Sequence, residues 1–259
     1  MKKIVPVLLL CLLGVSNAQA EELPLIRTLV LDPGHGGDNL GALGTGGKFE
    51  KAVTLELARQ VNRLIERKTT IRVVLTRTSD LAMSLEDRIG LANSIGADLF
   101  ISIHANSVPN PAVRGVETYV LSQAAFEDER DKLGRLPLSL TGGLSECPDQ
   151  AVGAIVKDLL HTFARDEAMS FARTVQKKVA NRVHSPNRGV KQLPMIVLRG
   201  AQMPAVLVEL GFMSNPIEYK MLTTASGQRQ YSRALYRAVI KEQNRRTATQ
   251  KAKKLAAKK

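Results

Sequence analysis

The chain is expected to fold as a single α/β domain: a twisted, mostly parallel sheet of about six strands flanked by helices on both faces. Two observations carry this expectation. Strand-length apolar runs such as Leu29-Val30-Leu31 and Leu99 to Ile103 are nearly continuous rather than alternating, as in strands buried on both sides. Helical periodicity separates them, with Val53, Leu57, Val61, Leu64 and Ile65 on one face of a helix over about Lys51 to Arg67. The resulting β-α-β-α-β order favours right-handed crossovers and parallel pairing. At 259 residues and 44% hydrophobic, the chain can bury a large core, and no linker divides it.

The first strand is expected at about 27 to 32, followed by a glycine-rich loop to Gly47 and the helix just described. Strand residues Arg72 to Thr76 come next. A helix near 84 to 95 is predicted from Ser84 as N-cap with Asp87 three residues on, close to a capping box. Leu99 to Ile103 and Val116 to Leu121 are the next strands. Regularity fails between about 122 and 148, where Glu127, Asp128, Glu129, Arg130, Asp131 and Lys132 precede Thr141-Gly142-Gly143, so this stretch is an insertion. A long helical zone over about 151 to 183, strands near Met195 to Leu198 and Ala205 to Glu209, and a last helix over about 227 to 244 complete the order.

The two ends differ in character from the body. Met1-Lys2-Lys3, an apolar run from Ile4 to Val15 and Ala18-Gln19-Ala20 have the form of an export signal over 1–20, too short to span a bilayer comfortably. Periplasmic or secreted location and no transmembrane segment after signal removal are therefore expected for the body, 21–240. Cys11 lacks the small preceding residue that lipid attachment needs, and Cys147 would be the lone cysteine of the mature chain, so no internal disulfide is expected. The net charge of +13 is concentrated in residues 241–259, a basic tail with eight Lys or Arg and one Glu. The body is only mildly basic, which argues against a nucleic-acid surface. The tail suits either solubility or contact with an anionic envelope, and it is expected to be solvated and partly disordered.

Chemistry concentrates at strand ends. Leu29-Val30-Leu31-Asp32-Pro33-Gly34-His35-Gly36-Gly37 places an imidazole on a glycine turn after an apolar strand, where open α/β sheets bind ligands. Ile101-Ser102-Ile103-His104-Ala105-Asn106 repeats the arrangement. Only four histidines occur in the chain, so two so placed point to a metal, although each alone also fits a turn or core histidine. His161, in an amphipathic helix, and His184, before Ser185-Pro186, fit structural or surface positions. Glu209 closes Ala205-Val206-Leu207-Val208, and a carboxylate there needs a reason, since burying it unpaired is costly. It fits a general base and acid, a cap on the turn at Gly211, or a partner of Arg199.

DPGHGG with Glu50 beyond it, SIHAN around His104, and Leu207-Val208-Glu209-Leu210-Gly211-Phe212-Met213-Ser214-Asn215 resemble the zinc-dependent N-acetylmuramoyl-L-alanine amidases of the type 3 class. RTSD at 77–80 and SLEDRIGLAN at 84–93 strengthen the resemblance, which covers roughly residues 27 to 240. It implies Zn2+ held by His35, Glu50 and His104, with Glu209 as the catalytic base towards water and acid towards the departing amine. Zinc suits amide hydrolysis because it lowers the pKa of a bound water to about 7 and polarises the carbonyl. The implied substrate is peptidoglycan, cut between N-acetylmuramic acid and L-alanine in cell-wall remodelling, daughter-cell separation or lysis. Some members carry an aspartate where this chain has Asn106, which here is free to orient substrate or a ligand. Some relatives block their site with an inhibitory insertion that an activator protein displaces; the 122–148 stretch is a candidate, with Glu127 or Glu129 as donors. Rival readings are a zinc peptidase or deacetylase on another envelope amide, a thiol hydrolase using Cys147 with His161 or His184, and a non-catalytic wall-binding module.

Overall fold

The computed structural model describes residues 25–125, 127–128 and 150–256. The export signal expected over 1–20 and most of the 122–148 insertion, Glu129 and Cys147 included, lie outside the described residues.

Six strands form one sheet: β1 (Thr28–Pro33), β2 (Arg72–Leu75), β3 (Leu99–Asn106), β4 (Val116–Leu121), β5 (Asn187–Leu193) and β6 (Ala205–Phe212). Their spatial order is β2-β1-β3-β6-β4-β5. All neighbours pair in parallel except β4 and β6, which run antiparallel. The main helices among the described residues are α1 (Glu50–Lys68), α2 (Leu85–Ser94), α3 (Gln150–Val183), α4 (Pro216–Thr223) and α5 (Ala225–Ala256). The expected α/β class and mostly parallel sheet are thus observed.

Alternation along the strands divides the core in two. Leu29, Leu31, Leu99, Ile101, Ile103, Val206 and Val208 face one side, where Val53, Leu57, Val61 and Ile65 of α1, Phe171, Val175 and Val179 of α3 and Leu235 and Val239 of α5 cover them. Val30, Phe100, Tyr119, Ala205 and Leu207 face the other, under Ile89 and Ala92 of α2 and Val197 and Leu198. The second cover is thinner and stops short of the carboxyl ends of β1, β3 and β6. Polar side chains therefore occupy that end of the second face.

Local chemistry accounts for the element boundaries. Ser84 caps α2 by accepting from the Asp87 N–H at 3.0 Å, as the sequence predicts. Asn215 accepts from the Ile217 and Glu218 N–H groups with Pro216 in the first turn, starting α4 by a motif that sequence reading passed over.

Two expectations are corrected. Met195 to Leu198 is not a strand: Ile196–Leu198 form a single 3-10 turn roofing the second core, and the strand is Asn187–Leu193 just before it. Pro194, with no N–H to give, separates the two. The last helix does not fade near Asn244 but continues to Ala256. Its extension is anchored, because Arg246 is buried at 2% exposure, donates to Glu242 Oε1 at 2.9 Å and reaches the Asp98 carbonyl. Arg245 joins Glu242 to Glu167 of α3.

Burial would raise the Glu242 carboxyl, but Arg245 and Arg246 outweigh it and hold it below its ordinary value. The folded form is thus stabilised above the ordinary glutamate value of 4.5, and that stabilisation is lost as pH falls through the depressed one. Glu242→Gln should lower the melting temperature at pH 7, by roughly 1–3 kcal/mol in stability. The gap between wild type and variant should narrow below pH 4.5 in thermal melts across pH.

Candidate metal centre and active site

The site begins with the turn after β1. His35 has φ +63, a left-handed conformation uncommon for a residue with a side chain. Two buried arginines hold it there. Arg88 donates from Nη1 to Asp32 Oδ1 at 2.7 Å and the Pro33 carbonyl at 2.9 Å, and from Nη2 to the His35 carbonyl at 2.8 Å. Arg77 donates to the carbonyls of Pro33, Gly34 and Lys51. Asp32 also accepts from Ser102 and Thr76, each at 2.6 Å, tying β1 to β3 and to the end of β2. The RTSD and SLEDRIGLAN motifs therefore contribute Arg77 and Arg88 as braces of the histidine turn, a part no sequence argument assigned them.

His35, Glu50 and His104 come together, each offering a ligand atom within 4.8 Å of the others. Glu50, the first residue of α1, reaches His35 Nε2 at 2.9 Å through Oε2 and His104 Nδ1 at 3.0 Å through Oε1. The N–H groups of Ala42 and Ala105 fix its two oxygens at 3.0 and 2.9 Å. Burial would raise this carboxyl, but the hydrogen bonds and charges of His104 and His35 hold it well below the usual carboxylate range. Burial opposes charge on His104 too, yet Glu50 and Glu209 raise its pKa.

Close packing keeps the group in place. A Cβ on Gly34 would stand 2.3 Å from the His104 ring, and one on Gly41 (φ +67) would stand 2.7 Å from both Glu50 and His35.

The donor set fits a metal ion. Asn39 Oδ1, which can only accept, lies 2.7 Å from His35 Nδ1, so Nδ1 is the donor there and Nε2, which faces the Glu50 carboxylate at 2.9 Å, is the nitrogen left to meet a cation. Two acceptors that close need a proton or a cation between them. Asn106, by contrast, turns its Oδ1 onto the Ser107 N–H at 2.7 Å. Orientation of a ligand falls to Asn39.

Glu209 lies beside His104 in the β3–β6 register and beside Glu117 in the β6–β4 register. Its Oε2 is buried with no hydrogen-bond partner among the described residues. Burial pushes its carboxyl up to about 7; Glu50 and Glu117 add to this, and His104 and His35 oppose it. Both structural alternatives for it fail. Arg199 points to Asp128, 3.9 Å away, and the backbone near Gly211 is served by Glu218, which accepts from the Phe212 N–H at 2.7 Å.

A cleft of about 600 Å³ opens onto His35 and His104, walled by Met83 and Leu85 on one side and Pro194, Met195 and Ile196 on the other. The remaining candidates lie elsewhere. Glu127 is exposed and accepts from Gln123, and His184 is exposed with φ +52 at the end of α3. The side chain of His161 lies outside the described residues.

A carboxylate between two imidazoles at the carboxyl edge of a parallel sheet, next to a half-buried glutamate with an unused oxygen, has the form of an α/β enzyme centre able to hold a metal. Comparison with known proteins narrows this. The chain belongs to the Amidase_3 family, N-acetylmuramoyl-L-alanine amidase, whose model matches residues 29–241. It is 34% identical over 236 residues to N-acetylmuramoyl-L-alanine amidase AmiA of Escherichia coli K12, covering 88% of this chain and 80% of that protein. Among solved structures it resembles an N-acetylmuramoyl-L-alanine amidase from Clostridium difficile 630 (26% identity, TM-score 0.64, 84% of this chain and 97% of that one). It also resembles the amidase AmiC2 of Nostoc punctiforme (29% identity, TM-score 0.62, 83% and 95%).

His35→Ala and His104→Ala should each lose stoichiometric divalent metal, because two remaining donors hold an ion weakly. Elemental analysis of the purified, folded variants checks this, and a full complement of metal in either would contradict the donor set.

Proposed function

We propose that the chain is an exported zinc hydrolase that cleaves the amide between N-acetylmuramic acid and L-alanine of peptidoglycan. The observation that carries the reading is the unused, buried oxygen of Glu209 beside the His35–Glu50–His104 group. Two nitrogens and a carboxylate are a known catalytic zinc set. Zinc held there would supply an acidified water and a Lewis acid for the carbonyl.

The chain's own residues do the rest. Asn39 keeps the proton on His35 Nδ1, leaving Nε2 free to bind. Glu209, its carboxyl raised by burial, takes a proton from the attacking water at Oε2 and returns it to the departing amine. The cleft presents apolar walls of Met83, Leu85, Met195 and Ile196 to the substrate. Arg88 and Arg77 keep the histidine turn in its left-handed form while these groups change charge.

Export rests on the basic start, apolar core and Ala18-Gln19-Ala20 of the first 20 residues. Lys251 and Lys254 on the exposed end of α5 would suit an anionic envelope.

Glu209→Gln keeps the shape but cannot accept a proton. It should retain zinc near the wild-type level while peptidoglycan hydrolysis falls by about a hundredfold or more. Mass spectrometry of the released products reads both rate and bond: free stem peptides beginning with L-alanine are expected, whereas peptides cut internally or deacetylated sugars would favour a peptidase or deacetylase.

A further inference from the structure

A second group of charges lies two strands from His104. Glu117 is buried at 2% exposure and accepts from Arg188 Nε, from Lys191 Nζ at 2.8 Å and from the Tyr119 hydroxyl. Burial would raise the Glu117 carboxyl, but Arg188, Lys191 and Tyr119 hold it below its ordinary value, so it stays ionised. One cation would neutralise it. Two leave the group with a net positive charge, and both are partly open to solvent, with side-chain exposures of 39% for Arg188 and 41% for Lys191.

The backbone is arranged to bring both cations to the same place. Val116 pairs with Asn187 and Thr118 with Val190, so Arg188 and Gly189 together face the single residue Glu117. This extra residue, with Gly189 at φ +87, turns the Arg188 side chain onto the face that Lys191 already shares with Tyr119. Gly115 makes room for it, since a Cβ there would lie 2.5 Å from Arg188 Cδ. The guanidinium then rests over the Phe212 ring at 5.4 Å and the Lys191 ammonium over Tyr119 at 5.9 Å. Among the described residues, only Nε of Arg188 is used in a hydrogen bond, which leaves both η nitrogens to donate.

His104, Glu209 and Glu117 are consecutive partners across β3, β6 and β4. Two strand spacings separate the first from the last, about 10 Å. An extended peptide covers that distance in about three residues.

We propose that Arg188 and Lys191 form an anion subsite for a free carboxylate of the stem peptide, carried by the second or third residue beyond the scissile amide. The inference rests on the amidase reading. Muramic acid spends its own carboxyl in the scissile bond, so a free carboxylate comes from the peptide side. The subsite would draw the peptide across β6 and β4 and set the L-alanine amide over Glu209.

Two muramoyl tripeptides test this, one with free carboxylates at the second and third residues and one with both as carboxamides. Zinc-loaded wild type should hydrolyse the acid with a kcat/KM about tenfold higher, mostly through KM. Arg188→Gln/Lys191→Gln should bring the ratio between the two substrates close to one. Because that variant strands Glu117, the same measurement on the triple variant with Glu117→Gln guards against misfolding and should give the same ratio. Equal rates by wild type on both substrates, or an unchanged preference in the triple variant, overturn the subsite and leave the amidase reading standing. Hydrolysis of neither substrate by the zinc-loaded wild type overturns the amidase reading and the subsite with it.

Discussion

The buried pair of Asp32 and Arg88 is the constraint on which the site depends. Both ends are out of water, at 0% and 3% exposure, so each would be costly alone; removing one partner of such a pair typically costs about 3–5 kcal/mol. Asp32 takes Ser102 and Thr76 as further donors, and Arg88 also donates to the carbonyls of Pro33 and His35. Those carbonyls belong to the turn itself. The ion pair thereby converts sheet pairing between β1 and β3 into the left-handed backbone at His35, a conformation that costs about 1–3 kcal/mol and needs surroundings that over-determine it.

Two glutamates near this turn are pushed in opposite directions by their surroundings. Glu50 meets two imidazoles and two backbone N–H groups and is held as an anion. Glu209, half-buried, has a buried oxygen with no donor and two carboxylates for neighbours, and it gains affinity for a proton. A pair of carboxyls so divided can serve one as ligand and the other as proton carrier. The division follows from the sheet: both Glu209 and Glu117 point to the thinly covered second face, while residues of opposite parity, Val208 and Val116, enter the main core.

Much of this was legible in the residues. Continuous apolar runs marked β1, β3 and β6, and histidines at strand ends marked two of the converging groups. Glu50 was selected by family resemblance alone, since a glutamate fifteen positions from His35 carries no local sign of where it will point. β5 was missed because it is an edge strand: Asn187-Arg188-Gly189-Val190-Lys191-Gln192-Leu193 has one side open and no apolar run to announce it. The apolar Met195 to Leu198 predicts a strand in its place, because burial under a roof and burial in a sheet select the same side chains. The last helix was cut short for a related reason. Arginine reads as surface, and the burial of Arg246 depends on Glu242 and the Asp98 carbonyl, one of them far away in the chain.

By itself the sequence determined the α/β class, the order of most elements and the chemical types available at the strand ends, because periodicity, capping and turn propensity act over a few residues. Tertiary structure decided which of those groups meet. Arg77 and Arg88 became braces of the histidine turn, Asn39 rather than Asn106 became the partner of the His35 imidazole, and Glu209 was left with an oxygen to spare. Each outcome depends on parallel strands placing residues tens of positions apart in register and on the removal of water between them, where an unmet hydrogen bond costs enough to select one arrangement.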